Sequence, residues 1–440
     1  MELNGNIRKM ETRGLSAESA EKPGFFDRFF GGDRVLWVII AILSVASLLV
    51  IFSSTASMAY RKAGGDTSHY FFAQLKFIVL GFAAMIAVHR LNYQRYARPR
   101  LLALVFVAAL LFMLLTFFIG VNLNSASRWI RIPVIGVTFQ PSDFLRIALI
   151  AILARQLAKR QTNIHRMPLL PALTLRGWRK NPDKNFNILT NITIPVLGPI
   201  VIACAAIFIS NFSTAAITFC TCLIMLYVGR VRVRELWRLV ALVFVTMVCA
   251  VSVMYAFNIG RSHTWVNRLG IGDMMSKTEQ VKAQGEDDDL QQEQARIAIA
   301  SGGLMGKGPG NSTQRSNLPH SYSDFAYAFI VEEYGLIGAS LMLFLYLCIF
   351  FRGIVTFRRC GTAFPGLLVL GLCLMITFQA ICNMLVSVCL FPVTGQTLPL
   401  VSLGGSSIVF TCVALGLILG ISRQVKEQSL DRPRGETMLD

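Results

Sequence analysis

Asp324 is an isolated carboxylate that ends a polar, glycine-rich stretch (residues 301–323) and directly precedes the apolar run FAYAFIVEEYGLIG. A carboxyl group so placed keeps contact with water yet borders low dielectric. Low dielectric disfavours its charged form and suits it to general-base work. A helix N-cap draws on the same residue type at the same place, so both roles stand at this point. Glu332 and Glu333 follow one to two turns deeper in the same run. Ionisable groups inside a membrane span are costly and are therefore paired or functional. Asp143 and Arg146, three residues apart on one face of another apolar run, are the expected partners. For these four, an interhelical ion-pair network that fixes packing is favoured over direct catalysis.

A second group of residues could handle phosphate. Arg128 and Trp129 place a cation beside an aromatic ring in NSASRWIRIPVIGVTFQPSDFLRIALI. Trp129 suits an aromatic-belt anchor. Arg128 suits lipid headgroups or, through its forked guanidinium, a pyrophosphate. Lys307 and Arg315 in the glycine-rich stretch offer the same charge. In FPVTGQTLPLVSLGGSS, residues 391–407, Pro392, Gly395 and Pro399 rule out a regular helix. Irregular backbone at a membrane is tolerated only where protein or a wet cavity surrounds it. Gly404, Gly405, Ser406 and Ser407 then open an apolar helix whose free N–H groups could receive an anion, although close helix packing explains the glycines nearly as well. No zinc-protease, Walker A, haem-attachment or Ser-His-Asp pattern occurs, and five scattered histidines make no metal site. A divalent cation, Mg²⁺ or Mn²⁺, brought in by substrate phosphates is compatible with the chain.

Everything that must hold these residues is built for a bilayer. Of 440 residues, 54% are hydrophobic and 15% charged, and mean hydropathy is +0.57. That excludes a soluble globular protein. Runs long enough to span a bilayer fall at about 35–54, 71–89, 101–120, 142–158, 191–210, 213–229, 236–257, 325–351, 364–390 and 400–421. The expected fold is an all-α polytopic membrane protein of about ten transmembrane helices. Bases gather after span two (Arg90, Arg95, Arg98, Arg100), after span four (Arg155 through Lys184), after span six (Arg230, Arg232, Arg234) and after span eight (Arg352, Arg358, Arg359). The opposite short loops hold few. This asymmetry puts both termini in the cytoplasm and residues 258–324 outside, as one long, partly helical loop between spans seven and eight. The net charge of +18 reflects this orientation and not nucleic acid. Ten cysteines, mostly within apolar runs and without a CxxC pair, read as small buried hydrophobes. Residues 1–34 and 422–440 read as cytoplasmic tails around a membrane domain at 35–421, with no cleavable signal.

The segments SASRWI, FQPSDFLRIALI, QARIAIASGGLMGKGPGNS, SDFAYAFIVEEYGLIG and PVTGQTLPLVSLGGSS together resemble the SEDS family (shape, elongation, division and sporulation) of polytopic peptidoglycan glycosyltransferases. They occur in family order, and the resemblance covers nearly the whole membrane part. GDRVLWVIIAILSVASLLVIFSSTAS is more similar to the division branch than to the elongation branch. The resemblance implies polymerisation of lipid II on the outer face of the bacterial cytoplasmic membrane, at the division septum. Its implied partners are undecaprenyl-pyrophosphate-linked glycan, a class B penicillin-binding transpeptidase and other division membrane proteins. It aligns Asp324 with the family's essential acidic residue, the expected general base, and aligns Arg128 and Trp129 with a family RW pair. It matches Gln294 to a glutamine before SGG and puts Arg315 where a lysine is usual. Thr394, Gly395, Ser402, Gly404, Gly405 and Ser406 become candidate substrate contacts. Asp143 and Arg146 replace Glu and Lys with charge kept, whereas His320 and Tyr322 depart from the family's Glu and His. The alternatives from other classes are a lipid II flippase and a non-catalytic division scaffold. Intramembrane charge stays mainly in spans four and eight, and Gln379 and Asn383 add only uncharged polarity, which offers a flippase little of the polar path it needs.

Overall fold

The computed structural model describes residues 31–54, 68–119, 121–123, 126–131, 138–166, 168–171, 179, 181–256, 279–314 and 325–431. The described helices are α1 (Arg34–Ser54), α2 (Ser68–Arg90), α3 (Tyr93–Tyr96), α4 (Pro99–Ile119), α5 (Pro141–Arg166), α6 (Pro182–Ile188), α7 (Ile194–Ser210), α8 (Phe212–Val228), α9 (Val233–Ala256), α10 (Glu279–Gly302), α11 (Ala326–Arg359), α12 (Ala363–Ser387) and α13 (Ser406–Asp431). A π-helical turn, Leu189–Thr193, joins α6 to α7 in one rod. Eight of the described spans are long and apolar enough to cross a membrane. α8 is a shorter apolar helix, and α5 carries Asp143, Arg146 and Arg155 along its length. The chain is thus a multi-pass, nearly all-helical membrane protein.

Hydropathy located the helices, and several boundaries differ: the span expected at 142–158 runs on to Arg166, and the one expected from 191 begins at Pro182. The run at 400–421 is helical only from Ser406, because residues 388–405 fold as irregular backbone. α11 continues past 351 to Arg359, and α13 runs on to Asp431. A small antiparallel sheet, β1 (Val121–Leu123), β2 (Ala126–Arg131) and β3 (Thr138–Phe139), sits between α4 and α5. Its strands are too short to show a period of two.

α12 is the hub of the bundle. Nearly all its side chains from Phe364 to Met384 are buried, against α5, α8, α11 and α13. α2 lies along α13 at backbone contact distance. There Gly81 faces Cys412, Gly416 faces Met85 and Gly420 faces His89, a four-residue spacing of small groups that lets helices approach closely. A Cβ on Gly416 would sit 2.7 Å from the Met85 oxygen. α9 is far less enclosed, with Trp237, Phe244 and Val245 mostly exposed. Both ends of α1 are tied to α11. Arg352 Nε donates to Asp33 Oδ2 at 2.6 Å, and at the far end Ser53 bonds Glu333.

Candidate functional site

α11 is broken at Gly335, whose φ of 67° and ψ of −169° favour glycine. In an unbroken helix the Glu332 and Glu333 carbonyls would accept from the N–H groups four residues on, at Leu336 and Ile337. Here the N–H groups of Lys307 and Gly308 take that place, each at 2.9 Å. Leu336 N–H and Ile337 N–H in turn donate to the Gly303 and Leu304 carbonyls, at 3.0 and 3.4 Å. The turn after α10 therefore fills the break and satisfies polar backbone that apolar surroundings would otherwise leave stranded. The approach is close. A Cβ on Gly306 would lie 2.2 Å from the Glu333 oxygen, and one on Gly335 2.3 Å from the Leu304 oxygen.

Both carboxylates of the broken helix turn to this loop. Glu332 is fully buried and accepts from Lys307 Nζ at 2.8 Å, from Thr313 N–H and Thr313 Oγ1 at 2.9 Å each, and from Ser312 Oγ. Glu333 accepts from Gly310 N–H at 2.9 Å and from Ser53 Oγ of α1. The expected partnership of Glu332 and Glu333 with Asp143 and Arg146 does not form, because the break aims the carboxylates at residues 307–313. Lys307, considered above as a phosphate cation, spends its charge on Glu332.

Asp143 and Arg146 belong to a second cluster. Arg146 is 1% exposed. Its Nη1 donates to Gln379 Oε1 at 2.9 Å and to Asp143 Oδ1 at 3.5 Å. Its Nε and Nη2 find no partner among the described residues. Asp143 also bonds Ser407 at the start of α13, while Ser406 Oγ accepts from Gln140 N–H at 3.0 Å. Both serine hydroxyls at this helix start are thus engaged within the chain. Arg146→Met is expected to lower the thermal midpoint of the purified protein, by an unfolding free energy of about 3–5 kcal/mol, because Asp143 stays buried without its cation. Arg146→Met with Asp143→Leu should recover most of the loss; a double variant no more stable than the single one would refute the pairing.

Residues 388–405 fold back into the protein and are held by side chains from five helices. The carbonyls of Gln396, Thr397, Pro399, Val401 and Ser402 accept from Asn383 Nδ2 (2.7 Å), Gln379 Nε2 (3.0 Å), Tyr346 OH (2.5 Å), Ser47 Oγ (3.2 Å) and Gln74 Nε2 (3.5 Å). Gln396 Nε2 donates to Thr214 Oγ1 of α8 at 2.5 Å. Ser402 Oγ accepts from Leu398 N–H at 2.9 Å. Thr394 and Ser402 are buried, and Gly395 and Gly405 take positive φ. Gln74, Ser47 and Tyr346 were not singled out from sequence. Their one signal was polarity inside apolar runs.

The remaining candidates surround these clusters. Arg128 and Trp129 lie in β2, which pairs through β3 (Ile130 with Phe139, Arg131 with Thr138) to the residues that enter α5. Gln294 is on α10, half-buried, with Oε1 unpartnered among the described residues. Its neighbours Ala295 and Ala298 pack with Phe325, Ala328, Val386 and Val393, so α10 meets the start of α11 and the inserted segment. Asp324, Arg315, His320 and Tyr322 lie outside the described residues. Among the described residues no group of three His, Cys, Asp or Glu is placed to hold a metal.

A family model described as cell cycle protein, FtsW/RodA/SpoVE, matches residues 33–427. Stage V sporulation protein E of Bacillus subtilis is 29% identical over 399 residues, covering 89% of this chain and 97% of its own length. A probable peptidoglycan glycosyltransferase FtsW of the same species is 27% identical over 395 residues, covering 90% and 91%. Among solved structures, a chain from a peptidoglycan synthase complex, solved for its coordination of polymerization and crosslinking, aligns with a TM-score of 0.62 at 21% identity, over 90% of this chain and 98% of that one. The rod shape determining protein RodA of Thermus thermophilus aligns with a TM-score of 0.56 at 21% identity, again over 90% and 98%.

Proposed function

The chain belongs to the FtsW/RodA/SpoVE family of cell cycle proteins, and from that membership we propose that it is a peptidoglycan glycosyltransferase of the FtsW type. It polymerises lipid II at the outer face of the cytoplasmic membrane during septal division. The observation that carries the reading is the family match across residues 33–427, which takes in every described helix but the last residues of α13. Relatives named FtsW favour division over elongation. The fold neighbour from a complex that couples polymerization to crosslinking supports a transpeptidase partner, a class B penicillin-binding protein.

In this mechanism Asp324 takes the proton of the acceptor GlcNAc 4-hydroxyl as that oxygen bonds C1 of the donor MurNAc. The bond from C1 to the pyrophosphate oxygen breaks, and undecaprenyl pyrophosphate leaves with the electron pair. Attack opposite the leaving group turns an α-linked donor into a β-linked product. Arg128 and Arg315 offset charge on the departing pyrophosphate. Mg²⁺ or Mn²⁺ carried by the phosphates would act in the same sense.

The test is purified chain with its transpeptidase and labelled lipid II. Glycan strands are the expected product, and transport of lipid II across liposomes without any glycan would overturn the assignment. Arg128→Lys is expected to slow polymerisation about ten- to a hundredfold, since an ammonium cannot make two parallel bonds to a pyrophosphate. Unchanged rates in that variant would remove Arg128 from the clamp.

A further inference from the structure

Two contacts between α1 and α11 act as a ruler for the membrane. Asp33 meets Arg352 at one end, and Ser53 meets Glu333 at the other. They are separated by twenty residues on α1 and nineteen on α11. At about 1.5 Å per helical residue the α1 interval comes to about 30 Å, the thickness of a bilayer's hydrocarbon core, and the α11 interval, broken at Gly335, ends on the same two contacts. An ion pair thus marks one polar boundary, and a carboxylate with its hydroxyl and amide donors marks the other.

The docked turn reaches past Glu333 along α11. Its carbonyls at 303 and 304 bond the N–H groups of Leu336 and Ile337, which are further along α11 toward Arg352 than Glu333 is. At the tip, Leu304 and Met305 are 68% and 80% exposed, beside Leu336 and Ile337 at 54% and 59%. Leu341 and Phe344 continue the same exposed apolar stripe along α11. The first charge after the tip, Lys307, turns inward to Glu332. The patch is therefore continuous with an exposed apolar face of a membrane-spanning helix.

We propose that the turn at residues 303–306 is a lipid anchor, with Leu304 and Met305 inserted in the leaflet nearer Glu333. An apolar side chain at this level gains by leaving water for the acyl boundary. The anchor holds the glycine-rich loop at a fixed depth. This inference does not depend on the reaction the protein performs.

The test uses the full chain in liposomes of phosphatidylcholine and phosphatidylglycerol. An environment-sensitive fluorophore is attached at Met305→Cys and, for comparison, at Pro309→Cys, with labelling of the parent chain subtracted. Met305 is so exposed that its replacement removes little packing. Bromine near the headgroup end of the acyl chains is expected to quench the probe at 305 roughly twofold or more strongly than the probe at 309, with aqueous iodide giving the reverse order. Equal iodide quenching at both positions would place the tip in water and overturn the proposal. Shielding at 305 from both quenchers would mean that protein covers it, and would overturn it equally.

Discussion

Asp324→Asn is expected to lower glycan polymerisation by about 10²–10⁴-fold, the range a positioned general base contributes, with the protein still folded and bound to its transpeptidase. Asparagine is the decisive replacement because it caps a helix as well as aspartate does. It keeps the shape and the capping oxygen and loses only the ability to take a proton. Alanine removes both functions, and a lost cap accounts for about 1 kcal/mol of stability, a far smaller effect than loss of the base. The described residues on either side of this position are well packed. Phe325 is fully buried between α10, α12 and the inserted segment, and on the other side the loop is pinned through Thr313 and Gln314 to Glu332. Initial rates with labelled lipid II, with partner co-purification as the control, decide the matter. An asparagine variant as fast as the parent would reduce Asp324 to a cap.

Gly335→Ala should separate the loop from the bundle. The new Cβ would lie 2.3 Å from the Leu304 oxygen, at a φ of 67°, so the docked turn has to leave. α11 has an alternative: Leu336 N–H and Ile337 N–H can return to the Glu332 and Glu333 carbonyls, and alanine favours the continuous helix. The expected variant keeps its bundle and thermal midpoint but loses the anchorage of residues 303–314. Polymerisation should fall about 10²-fold, the penalty for small misplacement of a catalytic group, and Lys307 should become open to trypsin. Full activity with Lys307 still protected would show that docking is not required.

Much of the scaffold was legible from hydropathy alone, because a bilayer demands long apolar helices and little else satisfies their backbones. The partners of the charged residues were not. Pairing Glu332 and Glu333 with Asp143 and Arg146 assumed an unbroken helix, and a single glycine in an apolar run gives no sign that the helix parts there. With α11 parted at Gly335, the carboxylates face a loop. The irregularity of residues 391–405 could be read from Pro392, Gly395 and Pro399. Its burial could not, since the donors that make burial tolerable, Ser47, Gln74, Tyr346, Gln379 and Asn383, are spread over four separate runs. The sheet escaped notice because its strands are two to six residues long. The acid at the centre of the reading, Asp324, rests on resemblance and on the residues that flank it.

The inserted segment also has a mechanical consequence. Its carbonyls are gripped from α1, α2, α11 and α12 together, much as a pinned joint gathers several struts. Sliding any one of these helices past the others strains a bond at the joint, so shear is resisted at the centre of the bundle. Because α1 and α11 are also fastened at both ends, load applied to the docked loop passes along α11 into α1 and then through the joint to α2 and α12. The loop is mounted on a stiff frame.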